Sequence, residues 1–172
     1  MNRRESLVCL SALAGHALFP QALERFGLAS LALARGAEEW RPELLSPEQG
    51  RLIAEIVETI IPETDTPGAK AARVHVFVDL MLARCVPAAD SKALLEALDE
   101  MGEPFIQAPP AERQERLGRM DAAAFALVKE LTLVGYFTSE VGATQALAYD
   151  AVPGSYRGCI DLKPGQRAWA TR

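Results

Sequence analysis

The sequence predicts an all-α protein, a small helical bundle with an irregular C-terminal arm. Of its 172 residues, 49% are hydrophobic but only 6% aromatic. Ala and Leu rather than Val, Tyr and Trp supply the apolar count, which favours helix over sheet. Between Ser46 and Ala148, apolar residues recur at three- and four-residue spacing, the period of helices with one buried face. From Asp150 onward that period stops, and Pro153, Gly154, Gly158, Pro164 and Gly165 interrupt the chain. A chain of about this length buries roughly two thirds of the surface its unfolded form exposes, so one domain can fold without disulfides or metal.

Each element follows from local chemistry. Ser46-Pro47-Glu48-Gln49 starts the first helix, with Ser46 as N-cap, Pro47 at the first helical position and Gln49 closing a capping box. Leu52, Ile53, Ile56, Val57, Ile60 and Ile61 then paint one face, and Pro62 ends it. Glu63-Thr64-Asp65-Thr66-Pro67-Gly68 has turn chemistry throughout. A second helix carries Val74, Phe77, Val78, Met81, Leu82 and Cys85 on one face. Asp90-Ser91 is the expected cap of a third, with Leu94, Leu95, Leu98 and Met101. Gly102 to Pro110 reads as a bend, because Pro104, Pro109 and Pro110 do not fit a helix interior. A short charged helix from Ala111 to about Arg119 leads to Asp121, which caps the most apolar segment, Ala122 to Tyr136. Gly135-Tyr136-Phe137-Thr138-Ser139-Glu140 is expected to break that segment, and Thr138 or Ser139 to cap a further helix reaching about Ala148.

The N-terminus reads as an address. Arg3 and Arg4 precede the weakly apolar stretch Ser6 to Leu18, which falls short of the roughly 20 apolar residues that span a bilayer. Paired arginines at the edge of such a stretch favour twin-arginine export to the periplasm, a route taken by folded proteins; the plainer reading is an amphipathic helix with two solvated arginines. Ala32-Leu33-Ala34 offers a small-x-small cleavage pattern. The expected organisation is therefore a signal over residues 1–34 and a single helical domain over 35–172. Removal of the signal takes away Arg3, Arg4, Arg25, Glu5 and Glu24 and moves the formal charge from −5 to −6.

Several functional classes are excluded or disfavoured. With 23 acidic against 18 basic residues and no basic block, the chain lacks a nucleic-acid footprint. Its apolar fraction excludes disorder. Two histidines and three cysteines, without ligand spacing, give no structural zinc, heme or iron–sulfur pattern. His75 and Asp79 share a helical face, but two ligands are too few for a metal. No nucleophile elbow and no glycine-rich phosphate loop is present. Paired acids such as Glu55 and Glu58 read as a solvated face.

Two features point outward. Cys85 reads as a small buried hydrophobe, whereas Cys159 follows Gly158 in the irregular arm, where a free thiol in an oxidising compartment is a liability. Cys159 can pair with Cys85 or with a cysteine of another chain; burial of Cys85 favours the second. Tyr136 and Phe137 at the expected helix break, with Tyr149, Tyr156 and Trp169 after it, have interface composition. The same rings could equally fold back and complete the core.

Three segments carry a resemblance. They are Ile60-Ile61-Pro62-Glu63-Thr64-Asp65-Thr66-Pro67-Gly68-Ala69-Lys70; Lys129-Glu130-Leu131-Thr132-Leu133-Val134-Gly135-Tyr136-Phe137-Thr138-Ser139-Glu140, followed by Ala143-Thr144 and Tyr149-Asp150; and Pro153-Gly154-Ser155-Tyr156-Arg157-Gly158-Cys159. In this order, over residues from about 45 to 170, the chain resembles the gluconate 2-dehydrogenase subunit 3 family. The resemblance implies a small, non-catalytic subunit with no cofactor of its own. Its implied partner is a large FAD-containing catalytic subunit of the glucose-methanol-choline oxidoreductase type, often accompanied by a multiheme cytochrome c. It further implies that Arg3 and Arg4 direct export of the folded pair and that Cys159 forms a disulfide to the catalytic subunit. Thr66, Pro67, Tyr136, Phe137, Thr138, Ser139, Glu140, Tyr149, Tyr156 and Trp169 are then the interface candidates. A different class, a stand-alone exported helical enzyme or ligand-binding protein, would use Asp65, His75 or Glu140 in a pocket.

Overall fold

The computed structural model describes residues 40–152, 154–155, 159 and 161–170. The expected signal over residues 1–34, with Arg3 and Arg4, and Tyr156 lie outside the described residues. Among the described residues there are five α-helices: α1 Pro47–Ile60, α2 Val74–Arg84, α3 Ala88–Gln107, α4 Pro110–Gly118 and α5 Ala122–Thr138. A single π-helical turn, Gly142–Ala146, follows. All belong to the unit formed by residues 42–172, and among the described residues the architecture is all-α, with one isolated parallel bridge, Ala148 to Trp169.

α1 forms as its sequence dictates. Ser46 Oγ accepts from Gln49 N–H at 3.1 Å, and the Gln49 side chain accepts from Ser46 N–H at 3.0 Å, a closed capping box. Leu52, Ile53, Ile56 and Val57 face inward. They meet α3, α2, α4 and α5, so α1 lies at the centre of the bundle. α2 and α3 bring Val74, Val78, Leu82, Leu94 and Leu98 into the same cluster, and α5 adds Val128, Leu131 and Tyr136. Full burial of each such side chain contributes about 1.5–3 kcal/mol.

The elements depart from expectation where tertiary contacts override local signals. Cys85 is exposed rather than in the core. The α-helix ends at Arg84, the backbone at Cys85 turns away with φ −119°, and Val86 packs against the core instead. α3 begins at Ala88, ahead of the expected Asp90-Ser91 cap; Ser91 is buried and its hydroxyl donates to the Leu82 carbonyl at 3.0 Å. The bend after Met101 is present as a kink at Gly102 (φ 54°, ψ −163°), beyond which the chain makes further helical turns to Gln107. Pro104 is accommodated there because its missing N–H falls at the start of the new turns.

The start of the unit is secured by a buried acid. Asp79, fully buried on α2, accepts the backbone N–H groups of Glu43, Leu44 and Leu45 at 2.7, 3.1 and 3.0 Å. Nearby, Arg84 donates through two nitrogens to the Glu43 carboxylate. These bonds fix the segment that leads into the Ser46 cap.

Candidate functional site

α5 is apolar on nearly its whole circumference, with Lys129 and Glu130 its only charged residues between Ala122 and Thr138. One side, Ala124, Val128, Leu131, Thr132, Gly135 and Tyr136, is buried in the bundle. The other side leaves Leu133, Val134 and Phe137 exposed, and their i, i+3 and i+4 spacing makes them neighbours on one surface. Leu133 and Val134 did not stand out in the sequence as surface residues. Their signal is the lack of a polar stripe, which marks a helix covered on both sides.

The segment expected to break at Gly135 instead stays helical to Thr138. Gly135 serves packing: a Cβ there would sit 2.6 Å from Phe77 Cδ1 and 3.1 Å from Val74 Cγ1, so its absence lets α2 and α5 approach. Tyr136 is a core residue, 2% exposed. Its hydroxyl donates to the Pro67 carbonyl at 2.6 Å, and its ring meets Phe137 edge-on at 5.2 Å. Thr138 is exposed and its hydroxyl donates to the Val134 carbonyl. Ser139 ends the helix and caps the next turn, its hydroxyl donating to the Tyr136 carbonyl and accepting from Gly142 N–H. Gly142 passes so close that a Cβ would lie 1.9 Å from the Tyr136 carbonyl oxygen. The helix expected to reach Ala148 is thus the short π turn. Glu140 is exposed, and its carbonyl accepts from Thr144.

Thr66 and Pro67 are half-buried in the loop between α1 and α2. Glu58 holds that loop, accepting the backbone N–H groups of Glu63 and Lys70 at 2.8 Å each. Gly68 makes room for this, since a Cβ there would fall 2.2 Å from Glu58 Oε1. Glu55 bridges Lys70 and Arg113. Burial raises the Glu55 pKa, but hydrogen bonds and charge from Lys70 and Arg113 outweigh it and leave the carboxyl below its ordinary 4.5.

Exposed large apolar residues concentrate in one stretch of chain. Besides Leu133, Val134 and Phe137, they are Tyr149, Val152, Leu162 and Trp169 in the arm, with Leu44 the single exception among the described residues. The arm returns to the bundle at its end: Ala148 N–H donates to the Ala168 carbonyl at 2.7 Å, and Ala170 N–H to the Ala148 carbonyl at 2.9 Å. Cys159 is exposed on this arm and is not bonded to Cys85.

The residues weighed for chemistry do not converge. Among the described residues no three of His, Cys, Asp and Glu are placed to hold a metal, and Asp79 is committed to backbone N–H groups. An open groove of about 530 Å³ between α3 and α4 is lined by residues including Glu100, Met101, Glu112, Arg116 and Met120. Asp65, His75 and Glu140 are not part of it. No helix among the described residues is long and apolar enough to cross a membrane.

His75 instead gives the fold an acid sensitivity. Burial, reinforced by the charges of Arg73 and Lys70, pushes its imidazole down to about 4 from 6.5. The contribution of neutral His75 is complete above pH 6.5 and is lost as pH falls toward 4, because the unfolded chain takes up a proton that the folded chain refuses. His75 keeps part of its solvent contact, which screens the effect, and the loss is expected to be about 1–2 kcal/mol across that window. Urea unfolding from pH 7 to 4.5 is expected to show the decline, and His75→Gln to flatten it; equal slopes for the two proteins would contradict the assignment. The Glu55 contribution is present above 4.5 and is lost as pH falls from there through its own lowered pKa, so it does not mimic this window.

No curated protein and no solved structure matches the chain. A family description, gluconate 2-dehydrogenase subunit 3, matches residues 47–154, from the first residue of α1 into the arm. That span covers well over half of the sequence, including the pinned loop, α5 and the Gly142 turn, so the chain belongs to the gluconate 2-dehydrogenase subunit 3 family and is a subunit of a dehydrogenase complex.

Proposed function

We propose that this chain is a non-catalytic small subunit that binds, stabilises and escorts a large FAD-dependent sugar or sugar-acid dehydrogenase of the glucose-methanol-choline oxidoreductase type. The observation that carries the reading is the exposure of Leu133, Val134 and Phe137 as neighbours on one side of α5, with further large apolar side chains exposed in the arm that follows. Scattered surface hydrophobes need no explanation, whereas a cluster of this kind marks a surface that another chain covers. The docking face is then Leu133, Val134 and Phe137 on α5, and Tyr149 and Trp169 are the exposed rings that the arm offers to the same partner.

Cys159 adds a covalent tie. Its thiol is exposed on the arm, and oxidation with a cysteine of the catalytic subunit joins the two chains in the periplasm. Two thiols lose two protons and two electrons to the periplasmic disulfide-forming machinery as the S–S bond forms. Arg3 and Arg4 supply the twin-arginine signal for both chains, and heme c, where present, belongs to a third subunit.

Co-expression tests the reading. Produced alone, the chain is expected to carry no flavin absorbance and no dehydrogenase activity. Produced with a flavin-binding dehydrogenase chain of the same organism, it is expected to co-purify and to raise the yield of exported active enzyme, and changing Arg3 and Arg4 to Lys is expected to retain both chains in the cytoplasm. Dehydrogenase turnover by the isolated chain would refute the non-catalytic role. On non-reducing gels the complex is expected to run as a covalent heterodimer that Cys159→Ser abolishes; persistence of that band would remove Cys159 from the bond.

A further inference from the structure

The loop between α1 and α2 exposes Pro62, Glu63, Thr64 and Asp65, yet its backbone is closely held. Glu58 takes the N–H groups on both flanks. Thr64 N–H donates to the Thr66 carbonyl at 3.0 Å, and Ala69 N–H to the Ile61 carbonyl at 2.9 Å. An exposed loop fixed in this way loses little entropy when a partner covers it.

The anchor of longest reach is Tyr136, 69 residues away in sequence. Its hydroxyl holds the Pro67 carbonyl at 2.6 Å, while its ring meets Phe137 at 5.2 Å with the planes 79° apart. Tyr136 is 2% exposed and Phe137 is 41% exposed. One buried side chain therefore touches both a polar surface loop and the exposed ring of the apolar face.

We propose that Tyr136 is a positioning residue that fixes the loop of residues 62–67 and the Phe137 ring as the polar rim and apolar centre of one docking surface, occupied by the dehydrogenase catalytic subunit. The proposal rests on the reading of α5 as the docking face. Membership of the family supplies the occupant, and the loop is continuous with the face through Tyr136. An apolar centre with a polar edge is the usual anatomy of such contacts. The rim carries Glu63 and Asp65, neither of which forms a salt bridge within the described residues. The occupant therefore meets the rim with hydrogen-bond donors, from Arg, Lys or backbone N–H.

The test uses the catalytic subunit recovered from the wild-type complex after reduction, titrated under reducing conditions so that Cys159 adds no covalent bond. Tyr136→Phe keeps the ring and removes the hydroxyl, and is expected to weaken binding about three- to tenfold, the scale of one hydrogen bond. Asp65→Ala is expected to weaken binding in the wild-type background and by less in the Tyr136→Phe background, because a released loop no longer presents that carboxylate. A purely structural Tyr136 would lower the unfolding midpoint and leave the dissociation constant unchanged, which would overturn the proposal. If Phe137→Ala weakens binding while Tyr136→Phe and Asp65→Ala do not, the composite surface is wrong and the α5 face stands. If Phe137→Ala also has no effect, the reading of α5 falls as well.

Discussion

Replacing Asp79 by alanine is expected to lower the unfolding free energy by about 3–5 kcal/mol, the largest effect of any single substitution considered. The carboxylate is fully buried and accepts three successive backbone N–H groups, from Glu43, Leu44 and Leu45. Alanine leaves those donors without an acceptor in a region that includes buried Leu45, and an unsatisfied buried donor costs about 1–3 kcal/mol. Asp79→Asn preserves the shape but offers a single acceptor oxygen, so its cost is expected to be smaller, about 2 kcal/mol. Urea unfolding at pH 7 measures both, and amide exchange at residues 43–45 reports whether the segment has been released. A loss below about 1 kcal/mol for alanine would mean that the Ser46 cap and the apolar contacts of Leu45 hold this segment unaided.

Placing glutamate at both Leu133 and Phe137 is expected to weaken binding of the catalytic subunit at least about 100-fold, since central apolar anchors commonly contribute 2 kcal/mol or more each. The same double substitution is expected to leave the unfolding midpoint of the isolated chain within a few degrees of wild type. Both side chains are already more than a third exposed, so no core cavity opens. Sedimentation of the mixed subunits under reducing conditions distinguishes the outcomes. Undiminished association would move the docking surface off α5, and unfolding of the variant would show these residues to be structural.

The two substitutions draw on different levels of information. Asp79 was visible in the sequence only as an acid one helical turn after His75, which suggested a shared face. Its actual partners lie 34 to 36 residues away, and no local pattern encodes a bond of that span. Tyr136 was open to two readings, interface or core. The structure makes it core, because its hydroxyl finds the Pro67 carbonyl and so can be buried without an unsatisfied polar group. Phe137, the adjacent ring, lies about 100° further round the helix and so reaches the surface while its edge still meets Tyr136. Cys85 followed the apolar period of α2, yet that helix ends one residue earlier and Val86 takes the inward place.

What the sequence determined by itself is what depends on near neighbours along the chain. The all-α class follows from composition and a 3.6-residue period, and the start of α1 from Ser46, Pro47 and Gln49. The kink at Gly102 and the cap at Asp121 are local in the same sense, as are the three motifs that resemble the family. The tertiary structure alone decided which of two apolar sides of α5 would be buried, because both satisfy the helical period and only the position of α2 and its approach at Gly135 chooses between them. It likewise decided that the loop after α1 is tied to Tyr136, and that Asp79 secures the entry to the bundle. These choices turn on contacts between segments distant in sequence, whose free energy is set by fit and burial rather than by propensity.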